Sequence, residues 1–284
     1  MSVAAIIVTY STGPVLADCL NAVAAAAECD EIIIVDNGNA APEIQFLDAF
    51  ALRTSSVQLL RGQGNVGFAA GCNIGASHAR SDMLAFINPD VVLTPGALNA
   101  LVAALLSAPP PAIVGGDLRD GDGRPDKGSR RERLTLWRAW VSFSGLSMLE
   151  RFSPLLRDFN RHRDPPPVRA TPVGAVSGAL MLVRRVDFTA IGGFDEGYFL
   201  HVEDIDLCRR AEQSGWRVVF EPGPHGRHFR SSSDISEGAV TRYKALGMAR
   251  YLSKFARNPL ERALSKLAGA VLVALSSLGA RPGG

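Results

Sequence analysis

Short apolar runs alternate with amphipathic stretches through the first half of the chain. AAIIVTY (4–10), EIIIVDNG (31–38), SVQLLRG (56–62) and MLAFINPD (83–90) each give a brief apolar run that ends in polar residues, as a strand buried on both faces does. Between them, Val15, Cys19 and Val23 recur at helical spacing in the stretch 14–27, and FAAGCNIGASHAR (68–80) forms a second helical pattern. Strand–helix alternation of this kind predicts an α/β fold with a mainly parallel central sheet flanked by helices. Ligands bind beyond the carboxyl ends of such strands. The polar residues that close the runs are therefore the first candidates: Thr9, Tyr10, Asp36, Asn37, Asn88 and Asp90.

The second half reads differently. IVGGDL (113–118) is a further strand, and residues 119–169 are Arg-rich, carry Trp137 and Trp140, and stop at Pro165–Pro167. This segment predicts a basic, mobile insertion outside the core. AVSGALMLVRR (175–185) is strand-like. GGFDEGYFLHVEDIDLCRRAEQSGWRVVFEP (192–222) then gives a turn, a helix from about Glu203 to Ser214, and a strand. Residues beyond about 238 suit one or two basic helices, so the expected division is a domain over 1–237 and a helical C-terminal segment over 238–284. No internal repeat is present.

Composition adds one point. A net charge of +2 hides an acidic body and two basic segments: residues 1–118 hold 3 basic and 10 acidic side chains, whereas 119–169 hold 12 and 7, and 226–284 hold 10 and 3. Such a split points to an anionic partner, whether a phosphorylated substrate, a membrane surface or nucleic acid. Aromatics are sparse in the basic segments and no RNA-binding motif occurs, so nucleic acid is not expected. The four cysteines form no CxxC pair and read as reduced thiols of a cytosolic protein. The opening MSVAAIIVTY reads as a strand rather than a signal peptide. The longest apolar stretch, near 267–280, is shorter than the ~20 residues that span a bilayer.

Three segments could carry chemistry. RGQGNVG (61–67) contains a formal GxGxxG, but it follows a complete strand–helix–strand rather than the first strand, which argues against a dinucleotide fingerprint. Gly67, Gly71 and Gly75 strip one helical face, for close approach of a ligand or for tight helix–sheet packing. In INPDVVL (87–93), an acid after a Pro-rigidified turn either holds a divalent cation bridging phosphates or merely closes a turn. Finally, Asp195, Glu196, Glu203, Asp204 and Asp206 put five carboxylates in twelve residues. Crowding raises the pKa of one member of such a group toward that of a general base, while an acidic helix cap is the plainer alternative.

Taken in order, IIVTY, EIIIVDNGN, GNVGFAAGCNIG, FINPDVVL, VSGALMLVRR and GGFDEGYFLHVEDIDLCRR followed by His228 resemble a glycosyltransferase of family 2, in its rhamnosyltransferase-like branch. The resemblance runs from residue 3 to about 232 and implies a GT-A nucleotide-diphosphosugar transferase fold. It implies that Thr9, Tyr10 and Asp36 meet the nucleotide, and that Asn65, Gly67, Phe68 and Asn73 line its diphosphate pocket. Asn88 and Asp90 stand where the family has Asp-x-Asp, so Asp90 and His228 become the ligands of Mg2+ or Mn2+. Gly178 and Ala179 bring backbone near the sugar. Asp204 is implied as the catalytic base, with Glu203 near the sugar hydroxyls or as the alternative base.

The implied reaction is an inverting sugar transfer, from dTDP-rhamnose or a UDP-sugar such as UDP-galactofuranose, to a glycan or lipid-linked cell-surface precursor. The implied place is the cytoplasm. Contact with the inner face of the membrane and homo-oligomerisation stay open. A glycoside hydrolase with paired carboxylates and a non-catalytic nucleotide-binding protein are the competing classes.

Overall fold

The computed structural model describes residues 1–229 and 236–279. Residues 230–235, and the last five of the expected C-terminal segment, lie outside the described residues. The first half follows the alternation: β1 (Val3–Thr9), α1 (Val15–Ala24), β2 (Cys29–Asp36), α2 (Ala41–Arg53), β3 (Val57–Leu60), α3 (Phe68–His78) and β4 (Met83–Ile87). Then come β5 (Val91–Leu93), α4 (Ala97–Ser107), β6 (Ala112–Arg119), β7 (Arg130–Arg131), α5 (Leu136–Phe143), β8 (Thr171–Pro172), β9 (Ala175–Val176) and β10 (Leu180–Arg184). The chain closes with α6 (Arg185–Ala190), α7 (Glu203–Gln213), β11 (Arg217–His228), α8 (Glu237–Lys254) and α9 (Pro259–Gly279).

The main sheet has the order β3-β2-β1-β4-β10-β6-β11-β5, with β8 on β11. Strands β1 to β4 are parallel to one another, as the alternation predicts. The second half is mixed: β10 runs antiparallel between β4 and β6, and β11 is parallel to β6 but antiparallel to β5.

Period-two alternation sends each strand's side chains to two cores. In β1, Val3, Ala5 and Ile7 join Leu16, Leu20, Leu98 and Leu101 of α1 and α4. Ala4, Ile6 and Val8 face Cys72 of α3, Leu207 and Cys208 of α7, and Tyr251 of α8. The result is three layers, helix on sheet on helix. The small residues of α3 serve that packing. A Cβ at Gly71 would come within 2.7 Å of Val8, and one at Gly75 within 2.5 Å of Ile6, so both glycines let the helix lie on β1.

Two expectations need amending. Residues 119–169 are not an appendage outside the core: Leu134, Ala139, Val141 and Phe159 are buried in it or beside it. AVSGALMLVRR is not one strand either, because a turn at Ser177–Ala179 separates β9 from β10. That turn faces the site. All four cysteines are free.

Candidate active site

The order β2-β1-β4 reverses direction of travel at β1, so a crevice opens beyond the carboxyl ends of β1 and β4. Thr9, Asp36 and Asn88 stand on that rim. Thr9 is fully buried; its hydroxyl meets Thr12 at 2.8 Å and donates to Asn39 at 3.2 Å. Asn39 in turn donates to Asp36 Oδ1 at 2.7 Å, and Arg61 Nε donates to Asp36 Oδ2 at 2.8 Å. Tyr10, partly exposed, packs its ring on Gly38. The Asp36 carboxylate is thus fixed in direction by Asn39, Gly38 N–H and Arg61 before any ligand arrives. Arg61 closes β3, and its place at the strand end is a signal the sequence reading passed over.

The glycine-rich segment ends at the same rim. Asn65 Oδ1 accepts from Gly67 N–H at 3.1 Å, and Asn37 Nδ2 donates to Gly67 O. Gly67 has φ +86° and a Cβ there would lie 2.6 Å from Phe199 O, so the position admits glycine alone. Phe68 N–H donates to the same carbonyl at 2.8 Å, which anchors the start of α3 to the segment before α7. Asn73 points elsewhere. Its amide donates to Phe194 O and Glu196 and accepts from Phe194 N–H, pinning the 193–196 turn.

Of the five crowded carboxylates, three serve structure. Asp195 pairs with Arg250 and Lys254, Asp206 with Lys254 and Arg210, and Glu196 with Asn73. Glu203 and Asp204 remain, both buried at the N-terminus of α7. The two residues before them, His201 and Val202, hold φ +67° and +75°, left-handed values that cost side-chain-bearing residues energy. Gly247 of α8 packs against that strained turn.

The pair is split electrostatically. Burial would raise Asp204, but Arg131 at 2.8 Å and the amides of Gly178 and Ile205 hold its carboxyl below the usual range. Burial, and then the charge of Asp204, push Glu203 up to about 8, and its Oε2 is buried with no hydrogen-bond partner among the described residues. Arg131 belongs to the segment expected to be an insertion, and no spacing rule pointed to it.

A third cluster lies beside these. His228, the last residue of β11, places Nδ1 2.8 Å from Asp126 Oδ2 and Nε2 3.2 Å from Asp90 Oδ1. Burial would lower the imidazole; the Asp126 hydrogen bond and the Asp90 carboxylate outweigh it and hold it up at about 9. Asp126 is itself buried and accepts Gly128 N–H at 2.7 Å. Asp90 Oδ1 lacks a well-directed hydrogen bond, and so does the buried Oδ1 of Asn88. Among the described residues no group of three or more His, Cys, Asp or Glu side chains gathers to hold an ion unaided.

The clusters share one rim. Asp204 accepts Gly178 N–H at 3.0 Å, the next residue's carbonyl (Ala179) accepts Asn88 N–H at 3.0 Å, and Asp90 is two residues on. A Cβ built at Gly178 would sit 3.3 Å from Asp204 and 3.7 Å from Phe68. Asn88, Gly178, Ala179, Phe68 and Asp204 therefore form one continuous surface, with Asp90 and His228 at its end.

The profile described as Glycosyl transferase family 2 matches residues 4–185, which carry most of this rim. The chain belongs to that family. It is a glycosyltransferase. A relative from Mycobacterium tuberculosis (strain CDC 1551 / Oshkosh), N-acetylglucosaminyl-diphospho-decaprenol L-rhamnosyltransferase, is 32% identical over 238 residues, 80% of this chain and 75% of its own. Among solved structures, a mannosyltransferase from Pyrobaculum calidifontis in complex with GDP-Man and Mn2+ superposes with TM-score 0.59 at 15% identity, over 98% of this chain and 76% of that one. GalNAc-T7 with UDP, GalNAc and Mn2+ superposes with TM-score 0.63 at 15% identity, over 95% of this chain and 55% of that one, so the chain spans about half of it. At such identities these two likenesses establish the GT-A fold.

Proposed function

We propose that this glycosyltransferase moves rhamnose from dTDP-rhamnose to a hydroxyl of a lipid-linked saccharide diphosphate, with inversion at the anomeric carbon. The continuous surface from Asp204 through Gly178, Ala179 and Asn88 to Asp90 carries the proposal. It offers an anchored carboxylate for the acceptor at one end and, at the other, a carboxylate–histidine pair that would hold a cation for the leaving diphosphate. The rhamnosyl donor and the diphospho-lipid acceptor are the chemistry named for the M. tuberculosis relative. A UDP-hexose, UDP-galactofuranose among them, is the alternative donor, because Asp36 can accept the N–H of uracil as readily as that of thymine.

In this reading Thr9, Tyr10 and Asp36 bound the nucleotide, while Asn65, Gly67 and Phe68 bound its diphosphate at the start of α3. Asn88 Oδ1 and Glu203 Oε2, orphaned in the protein alone, meet polar groups of the donor; leaving such atoms unmade costs about 1–3 kcal/mol each. Asn73 acts at one remove, by holding the 193–196 turn. Asp204 accepts the proton of the acceptor hydroxyl while that oxygen forms the new bond to the anomeric carbon. The bond from the anomeric carbon to the diphosphate breaks, and its electron pair leaves with the nucleoside diphosphate.

The donor set fits a divalent cation. Asp90 Oδ1, under-bonded, and Nε2 of His228 lie 3.2 Å from each other, and Asp126 orients the ring from behind. Two protein ligands suit Mg2+ or Mn2+, which keep water and substrate phosphate in their other positions. When bound, the cation would neutralise charge growing on the leaving diphosphate.

A cytoplasmic site beside the inner face of the membrane goes with such an acceptor. Among the described residues no helix is long and apolar enough to cross a membrane. A thermal-shift screen of dTDP, UDP and GDP with and without Mn2+, followed by product analysis with dTDP-rhamnose, tests the proposal. Stabilisation by dTDP that requires Mn2+, and transfer from dTDP-rhamnose, are expected. No response to any nucleoside diphosphate would overturn it.

A further inference from the structure

Helices of water-soluble domains bury their large apolar side chains. Helix α9 does the reverse. Among its described side chains the buried ones are Ser265, Gly269 and Ser276, and Leu272 packs partly buried against the core. A Cβ at Gly269 would lie 2.6 Å from that of Ala249, so α8 and α9 meet through small residues at close range. On the other side, Leu260 is 71% exposed, Leu264 47%, Leu267 64% and Val271 50%. Their spacing of four, three and four residues is that of one helical face; Ala263, Ala270 and Ala274 are exposed beside it, and Arg262 and Lys266 are exposed farther round the helix. Small residues inward and leucines outward is the packing of helices solvated by lipid.

Charge selects the kind of apolar surroundings. Residues 237–279 carry seven basic and two acidic side chains. Arg250 and Lys254 are consumed by Asp195 and Asp206 of the body, so α8 is docked rather than free to bind elsewhere. Arg262 and Lys266 are exposed along the first half of α9, Arg257 lies just before it and pairs with Glu261, and no charged residue follows Lys266 within the helix. An anionic bilayer complements both the cations and the leucines. Among the described residues no helix is long and apolar enough to cross a membrane, so the placement that suits α9 is in the interface plane.

We propose that the outward face of α9, from Leu260 to Ala274, beds in the headgroup region of an anionic membrane, with Arg262 and Lys266 reaching from its flank to lipid phosphates. This deepens the membrane contact proposed above and rests on it. The placement also suits the acceptor. A cavity of about 130 Å3 is bounded by Leu134–Leu136 on one side and by Phe255, Arg257 and Ser265 on the other, so α9 adjoins the segment of Arg131 and Trp137. There a groove of about 760 Å3, lined by Arg131, Arg133, Trp137, Arg138 and Arg161, lies open beside the partner of Asp204.

The test is flotation of the full chain with phosphatidylcholine vesicles, with and without phosphatidylglycerol, against the variant Leu264→Ser/Leu267→Ser/Val271→Ser. These positions face outward, so the fold and dTDP binding should be unchanged. Wild type should float with phosphatidylglycerol vesicles, and the variant's partitioning should fall about a hundredfold or more. Arg262→Glu/Lys266→Glu should abolish the preference for phosphatidylglycerol. Three results would each overturn the proposal: wild type that ignores these vesicles, a triple variant that floats like wild type, or a wild-type dimer that the triple variant converts to monomer. Absence of sugar transfer with vesicle binding intact would count against the transferase reading alone.

Discussion

Asp126 Oδ2 lies 2.8 Å from Nδ1 of His228, and the opposite nitrogen of that ring faces Asp90. The ring is thus oriented from behind by a buried carboxylate, the arrangement that fixes a ligating histidine and strengthens its free nitrogen. Asp126→Asn should raise the Mn2+ concentration for half-maximal turnover about 10–100-fold. His228→Ala should do more. A Mn2+ titration that is identical in Asp126→Asn and wild type would remove the cation from this site.

Asp204 and Glu203 are adjacent and buried, but they sit in opposite protonation regimes. Asp204 is ionised across the physiological range, whereas Glu203, pushed up to about 8, is largely neutral at pH 7. If Asp204 is the base, Asp204→Asn should lower kcat by about 10²–10⁴ with donor Kd unchanged. Glu203→Gln replaces one neutral hydrogen-bonding group by another, so its loss should be smaller than that. Steady-state kinetics of both variants decide the matter. A deeper loss in Glu203→Gln would transfer the role to Glu203.

Arg131 sets the pH range of that carboxylate. Because Arg131 holds the Asp204 pKa down, Asp204 stays charged well into acid, and its stabilising contribution is lost only as pH falls through the lowered folded value. In Arg131→Gln the acid limb of kcat/KM should move to higher pH, since Asp204 then takes up its proton sooner. Breaking a buried pair also costs about 3–5 kcal/mol, visible in Tm at neutral pH. An acid limb that stays in place would show that Asp204 does not govern it.

Much of this was legible in the order of the residues, and what was not has a common physical reason. The parallel half of the sheet is written in local alternation, so β1 to β4 could be read directly. The run that holds β10 reads as strand-like, but its antiparallel place could not be read, because its neighbours β4 and β6 come from far along the chain. Asp126, Arg131 and Arg61 escaped for the same reason: each acts through a partner at least 25 residues away, and nothing in its own spacing announces that partner. Asn73 shows the opposite case. It lies inside a specific motif, and its amide bonds to a turn more than a hundred residues distant.

Asp206 is expected to act on stability. It is fully buried and receives Lys254 at 2.6 Å, Arg210 at 2.6 Å and the hydroxyl of Tyr198 at 3.1 Å, tying α7 to α8. Asp206→Ala removes the shared acceptor of three donors. Part of the cost is relieved because Lys254 keeps Asp195, so a loss of about 2–3 kcal/mol is expected, less than for a wholly isolated pair. Urea unfolding measures it. A change below ~0.5 kcal/mol would mean that these contacts are no stronger than surface pairs.

Gly247 tests whether α8 also serves the chemistry. It sits in mid-helix, where replacing glycine by alanine should gain up to about 1 kcal/mol from helix propensity. The new Cβ would come 3.0 Å from His201 O and 3.0 Å from Val202 Cγ2, and overpacking of this kind costs about 1–3 kcal/mol. The two terms nearly offset, so Gly247→Ala should change Tm little. The strain falls on the left-handed turn that presents Glu203 and Asp204, and small misplacements of reacting groups can cost up to about 10²-fold in rate. The expected result is therefore a near-normal Tm, an unchanged donor Kd and a kcat reduced by about tenfold. A Tm that falls in step with kcat would make the position a packing site only, whereas rate loss without stability loss would tie α8 to the alignment of the carboxylate pair.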